Sequence, residues 1–199
     1  MIARLAAMAV LLLAGGCATL PPSEEPDDWP ARRAALQSLD GWRLNGRIAI
    51  AAGADGFSGG FDWSQAGERA DIALSGPMGG TRLSIHVDGG RFRVTDERGA
   101  SYAGEEAERF VAERIGPGQP LPVAAMRYWL VGAPAPDAPH EETLGADRRL
   151  ASLAQSGWQV RYDRYEPVGT VALPARLEMT TEGLRLRVVV SNWQAELKR

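Results

Sequence analysis

The sequence predicts a mostly β fold, a strongly curved antiparallel sheet or partial barrel whose interior is closed by three short helices. Three observations lead there. Apolar and polar residues alternate in segment after segment, the period of a half-buried strand. Glycine-rich turns such as Asp88-Gly89-Gly90 separate those segments and suit hairpins. Only three stretches carry the spacing of an amphipathic helix, too few to cover a broad sheet on both faces.

The first 16 residues stand apart from the fold. Arg4 gives a positive start, residues 5–13 are apolar but too short to span a bilayer, and Ala14-Gly15-Gly16 supplies small residues before Cys17. That is the pattern of a secretory signal. Cys17 is the single cysteine in the chain, so no internal disulfide can form. Its placement at the cleavage point resembles a bacterial lipobox, although position −3 is Ala14, with Leu13 one place earlier. The resemblance implies that Cys17 is acylated as the first mature residue. Ala18 stands where an aspartate would resemble an inner-membrane retention signal, which implies anchoring in the outer membrane, facing the periplasm. Residues 17–28, rich in proline and acid, read as an extended tether, and residues 29–199 as a single domain. Removing Arg4 takes the basic residues from 22 to 21 against 25 acidic, so the net charge moves from −3 to −4. Such a chain has no bulk attraction for nucleic acid.

Residues 29–39 predict a first helix, capped by Asp28, with Pro30 in the first turn and a weak apolar stripe of Ala31, Ala34, Ala35 and Leu39. The period then changes to two. Trp42, Leu44, Gly46, Ile48 and Ile50 share one face of a long strand; Phe57, Gly59, Phe61 and Trp63 share one face of the next. Ile72 and Leu74, then Leu83, Ile85 and Val87, then Phe92 and Val94 continue the meander. Residues 105–115 form a helix with Ala107, Phe110, Val111 and Ile115 on one side and acidic residues in its first turn. Residues 122–131 form another, grouping Val123, Met126, Trp129 and Leu130. A proline-rich excursion over 133–140 follows. Strands resume over 149–154, at Trp158, Val160 and Tyr162, over 176–180, and over 184–193 with Leu184, Leu186, Val188 and Val190 on one face. The total is roughly ten strands and three helices.

Enzymatic chemistry finds little support. Gly56-Phe57-Ser58-Gly59-Gly60 matches G-x-S-x-G, but that nucleophile needs a strand, a sharp turn and a helix, and Ser58 opens a strand instead. His86 on a strand and His140 in the proline-rich loop are isolated, so no metal or cofactor site is expected. Arg43, Arg47, Arg91, Arg93, Arg185 and Arg187 alternate on strands, as on a solvated sheet face. Arg47 is expected to point away from the Trp42, Ile48 and Ile50 face, where it either holds the lid or rim through backbone carbonyls or stands as an ordinary exposed strand arginine.

One turn stands out. Gly76-Pro77-Met78-Gly79-Gly80 joins two strand segments and carries a large apolar residue with no local cover. A hairpin tip of this kind suits contact with lipid or another protein; the bland alternative folds Met78 back onto the sheet.

Behind a lipobox, several short motifs occur in a telling order. They are Trp42 with Gly46-Arg47, Trp63-Ser64-Gln65, Gly76-Pro77-Met78-Gly79, Pro122-Val123 with Trp129-Leu130-Val131-Gly132, Gln155-Ser156-Gly157-Trp158 with Tyr162 and Tyr165, Leu173-Pro174, and Asn192-Trp193. In these the chain resembles the LolB family over nearly all of its mature length. The resemblance implies a LolA/LolB-like fold, an unclosed antiparallel barrel with a helical lid and a hydrophobic cavity for acyl chains. It implies a monomeric outer-membrane receptor that accepts lipoproteins from a LolA-type periplasmic carrier and inserts them into the membrane phospholipid. It also implies a protruding membrane-delivery loop, here Pro77, Met78 and Gly79, with Met78 where the family often has Leu. The period-2 pattern nominates Ile48, Ile50, Phe61, Trp63, Leu83, Ile85, Val188 and Val190 as cavity lining, with Met126 and Leu130 closing it from the lid. The competing reading is a structural or assembly lipoprotein with a solid core and a partner-binding face.

Overall fold

The computed structural model describes residues 28–77, 79–115, 121–136 and 138–195. The expected signal, the tether up to residue 27, Cys17 and Met78 lie outside the described residues. The first element is α1, Trp29–Gln37. Six strands follow: β1 Gly41–Ala52, β2 Asp55–Ala66, β3 Arg69–Ser75, β4 Thr81–Asp88, β5 Arg91–Asp96 and β6 Ser101–Ala103. Helices α2, Glu105–Ile115, and α3, Val123–Val131, come next. The chain closes with β7 His140–Leu144, β8 Leu150–Gln155, β9 Trp158–Val168, β10 Val171–Thr181 and β11 Leu184–Ala195.

All eleven strands form one antiparallel sheet, ordered β6-β5-β4-β3-β2-β1-β11-β10-β9-β8-β7. Every pairing but one joins sequence neighbours. The exception, β1 with β11, zips the N-terminal meander to the C-terminal one. The edges β6 and β7 are not paired to each other, so the barrel stays unclosed. Bulges at Asn45/Gly46, Leu74/Ser75 and Pro174/Arg176 add twist and bend. The first depends on glycine, since a Cβ on Gly46 would lie 2.2 Å from the Val189 carbonyl oxygen.

One face of the sheet is apolar and carries the helices. Buried residues alternate along β1, with Trp42, Leu44, Ile48 and Ile50 inward and Arg43, Arg47 and Ala49 outward. Helix α2 lies on β5 and β6, α3 lies on β10, and α1 touches α3. Acidic Glu105, Glu106 and Glu108 occupy the first turn of α2, favourable at the positive end of the helix dipole. Asp28 caps α1 by accepting from the Ala31 amide at 2.8 Å.

Four expectations are corrected. The buried residues of α1 are Trp29, Arg32 and Leu36, with Leu39 buried just past its end, whereas Ala31 and Ala34 are exposed: the larger side chains take the core. The proline-rich stretch after α3 is not a solvent excursion, because Ala133, Pro134 and Ala135 are buried. His140 opens β7 rather than sitting in a loop. Strand β10 begins at Val171, five residues before the alternation that announced it.

Candidate functional site

The ten nominated lining residues come together. Ile48, Ile50, Phe61, Trp63, Leu83, Ile85, Val188 and Val190 from the sheet and Met126 and Leu130 from α3 belong to one apolar cluster, each at most 6% exposed. Register explains the grouping. Ile85, Ile72, Trp63, Leu44 and Trp193 lie abreast on five adjacent strands. Leu83, Leu74, Phe61, Gly46 and Val190 form the next row. At one end Trp42 stacks on Trp63 at 5.8 Å and meets Trp193 edge-on at 5.5 Å.

An open pocket of about 440 Å³ continues this face toward the β3–β4 turn. Ile50, Phe57, Leu74 and Leu83 supply apolar lining, Pro77 contributes from the turn, and Asp55, Arg82 and Glu97 are charged. Ile50 and Leu83 are therefore the nominated residues that reach an open apolar space. Trp63 and Ile85, with Leu44 and Ile72, also border a larger depression of about 510 Å³, but most of its lining is polar, with Arg43, Asp62, Asp71, His86 and Arg93 on the outward side. There His86 Nδ1 lies 2.6 Å from Asp71 Oδ1. Such a charged surface does not suit hydrocarbon.

The turn beside the apolar pocket is tightly built. The Gly76 amide donates to the Gly80 carbonyl at 3.2 Å, and the Gly79 amide donates to the Gly76 carbonyl at 3.1 Å. Gly79 and Gly80 sit at φ +81° and +80°, where a side chain is strained. Pro77 and Gly79 are exposed. The end of β3 presses onto β2 at Gly59, where a Cβ would lie 1.9 Å from the Ser75 carbonyl oxygen.

Polar side chains fasten the helices over the apolar face. Arg32 of α1, 4% exposed, donates to the Ala172 carbonyl at 2.6 Å. Arg127 of α3 donates to the Gly67 carbonyl at 2.8 Å. Gln155, 2% exposed, accepts from Trp129 Nε1 and the Ala135 amide, both at 2.8 Å, and donates to the Ala135 and Ala138 carbonyls. Tyr162 donates to the Trp129 carbonyl at 2.9 Å and Tyr165 to that of Leu150 at 2.7 Å. Burial raises both phenols well above their ordinary range.

Arg47 takes no such part: it is exposed on the outer face, and the arginines that hold the lid reach from the helices instead. Nothing in the sequence marks Arg32 or Arg127, and nothing there assigns Gln155 its bonds. Gln155 alone carried a signal, as part of the Gln155-Ser156-Gly157-Trp158 motif. Ser58 is exposed in β2, which runs on to Ala66, so it stands on no strand-to-helix elbow.

The sequence model of the family described as "Outer membrane lipoprotein LolB" matches residues 40–193. The chain is 34% identical over 200 residues to the outer-membrane lipoprotein LolB of Ectopseudomonas mendocina, covering 98% of this chain and 97% of that one. It is 37% identical over 193 residues to the protein of the same name from Pseudomonas putida strain F1, covering 93% and 92%. The Nitrosococcus oceani protein of that name is 35% identical over 189 residues, covering 92% and 93%. Among solved structures, a DUF1329 family protein from Desulfovibrio piger aligns with a TM-score of 0.60 at 8% identity, over 85% of this chain and 91% of that one. A LolA superfamily protein from Nitrosomonas europaea aligns with a TM-score of 0.50 at 13% identity, over 84% and 92%.

Proposed function

Because the chain belongs to the LolB family of outer-membrane lipoproteins, we propose that it is the receptor that accepts lipoproteins from a LolA-type periplasmic carrier and inserts them into the inner leaflet of the outer membrane. Acylated Cys17 anchors it there, facing the periplasm, and it works as a monomer. It is a transport protein; no step of the process makes or breaks a covalent bond.

The observation that carries this reading is the one-sided sheet. Its apolar face is roofed by helices held through a few polar clamps, and it runs out into an open apolar pocket beside the glycine-locked turn. Cargo acyl chains are driven into such an interior by burial, at roughly 0.8 kcal/mol per CH₂. Transfer runs downhill without an energy source when each successive site holds the chains better than the last and the bilayer holds them best. Because the ten nominated lining residues pack closely, room for several chains arises when the helices move away from the sheet. Met78, between Pro77 and Gly79, acts at the last step by entering the bilayer.

The close packing is also what a structural lipoprotein with a solid core would have, so the two readings part on occupancy. A labelled lipoprotein presented on the carrier passes to this protein and then to membranes under the receptor reading. An apolar fluorescent dye binds stoichiometrically to the native protein. Failure of both transfer and dye binding leaves the solid-core reading standing.

A further inference from the structure

Charge is divided unevenly over the sheet. Strands β1, β11, β10 and β9 lie side by side and carry seven arginines against three carboxylates, those of Asp163, Glu166 and Glu178. Strands β2 to β5 carry four arginines against five carboxylates. The first group therefore holds a surplus of four positive charges in a chain whose net charge is −3. Two of its acids are already answered. Glu178 accepts from Arg187 Nη2 at 2.8 Å and lies 3.7 Å from Arg161 Nη2, while Asp163 accepts from Arg161 Nε at 2.9 Å. Arg47, Arg164 and Arg176 are exposed and pair with no carboxylate among the described residues.

Register sets those three arginines in one line. Ser75, at the foot of the 76–80 turn, stands opposite Gly60, and Gly60 opposite Arg47. Arg47 stands opposite Val189, Val189 opposite Arg176, and Arg176 opposite Arg164. Directly paired residues share a face of the sheet, and at roughly 4.8 Å per strand the line from Arg47 to Arg164 runs about 14 Å. The line starts at the turn itself, since a Cβ on Gly60 would lie 2.2 Å from Ser75 Oγ.

We propose that this arginine stripe rests on the anionic phospholipid headgroups of the bilayer and so sets which side of the domain turns to the membrane as the 76–80 turn enters it. A guanidinium fork suits phosphate oxygens. The remainder of the chain carries the negative balance, so an anionic surface attracts this face and repels the others. An acidic protein would meet the same charge. The stripe's continuity with the turn favours the bilayer, because turn and stripe then engage one surface together. The inference rests on the reading of that turn as the membrane-entering tip.

The test uses the mature chain with Cys17→Ser, so that its own anchor does not mask binding. It is sedimented with vesicles of phosphatidylcholine alone or mixed with phosphatidylglycerol. Binding is expected to the mixed vesicles, with release as salt is raised, and little to phosphatidylcholine alone. Arg47→Gln with Arg176→Gln weakens binding to the mixed vesicles by about fivefold for each guanidinium removed. Arg91→Gln with Arg93→Gln removes the same charge from β5 and leaves binding nearly unchanged. All four side chains are exposed, so both variants keep the fold. Equal binding to both kinds of vesicle, or equal weakening by the two double variants, overturns the proposal. If Arg47→Gln with Arg176→Gln binds vesicles as the parent does but no longer accepts labelled lipoprotein from the carrier, the stripe docks an acidic protein and the proposal falls. Acceptance by the parent chain separates the two ideas. If it persists while vesicle binding is absent, the stripe inference fails alone; if both are absent, the receptor reading fails too.

Discussion

Arg127 on α3 and Gly67 in the β2–β3 turn, 60 residues apart, are joined by a guanidinium N–H donating to a carbonyl at 2.8 Å. The same carbonyl accepts from Gln65 Nε2 at 2.7 Å, and Gln65 Oε1 in turn accepts from Trp63 Nε1 at 2.8 Å. A chain of hydrogen bonds thus runs from the lid to a tryptophan of the apolar face. The Arg127 guanidinium also lies over the Tyr128 ring, 4.5 Å from its centroid.

If this contact latches the lid, Arg127→Ala loosens α3 before it unfolds the domain. The expected stability loss is about 1 kcal/mol, the net worth of one part-buried hydrogen bond. Hydrogen exchange at the α3 amides should accelerate while exchange in β1 and β11 stays slow, and dye uptake should quicken. Equal acceleration throughout the sheet would instead mark Arg127 as an ordinary contributor to global stability.

Gln155 is expected to behave differently. It fills four hydrogen-bonding roles toward α3 and the loop that follows. Gln155→Leu preserves bulk but leaves the Trp129 indole and the Ala135 backbone unsatisfied in a buried place. The expected cost is about 3 kcal/mol, since each such orphan costs roughly 1–3 kcal/mol. Urea unfolding read by tryptophan fluorescence measures it; a loss under about 1 kcal/mol would mean that water replaces the amide.

The contrast between these residues shows what a sequence can disclose. The long strands were legible because Ile48, Ile50, Val188 and Val190 obey period two on a sheet with one solvated face. Strand β7, His-Glu-Glu-Thr-Leu, was not: all its residues are exposed or half-buried, so no alternation marks it. Strand β10 hid its first half because Val171, Ala172, Leu173, Pro174 and Ala175 are buried consecutively, up to a bulge at proline. In α1 the alanines suggested a face, but burial followed Trp29, Leu36 and a buried arginine, Arg32, that pairs 140 residues away. Partners at that separation leave no local trace. The candidate site was legible at the turn, whose glycines and proline announce their geometry, while the charged rim of the pocket is assembled from three separate turns or strand ends.

Alkaline pH tests the two buried phenols. Tyr162 and Tyr165 have folded pKa values raised by burial above the unfolded value of about 10. A raised folded pKa gives stability that is intact below the unfolded pKa and lost as pH climbs toward the folded one. Stability attributable to these groups is therefore flat through neutral pH and declines above about pH 10, by up to about 1.4 kcal/mol per pH unit for each tyrosine. Urea midpoints of the chain and of Tyr162→Phe and Tyr165→Phe check this. Each variant should lose part of the alkaline slope; an unchanged slope would assign it to other groups.

The final prediction concerns Met78, which lies outside the described residues, and rests on its two neighbours. Pro77 and Gly79 are exposed, and positive φ angles at Gly79 and Gly80 with two backbone hydrogen bonds fix the turn they belong to. A methionine carried there serves delivery if it enters an apolar phase, a gain of about 1.5–3 kcal/mol for a side chain of this size. That biases contact with the bilayer without trapping the protein in it. Met78→Glu replaces the gain with the cost of bringing a carboxylate into lipid. The variant is expected to melt within about 2 °C of the parent, as surface substitutions do, to accept lipoprotein from the carrier, and to pass little of it to membranes. Met78→Leu keeps the apolar bulk and should keep delivery. Acceptance and membrane incorporation are scored separately, with thermal melts alongside. A large drop in melting temperature for Met78→Glu would show that the side chain is part of the core, and the delivery role would then fall, since a buried methionine has nothing to offer the bilayer.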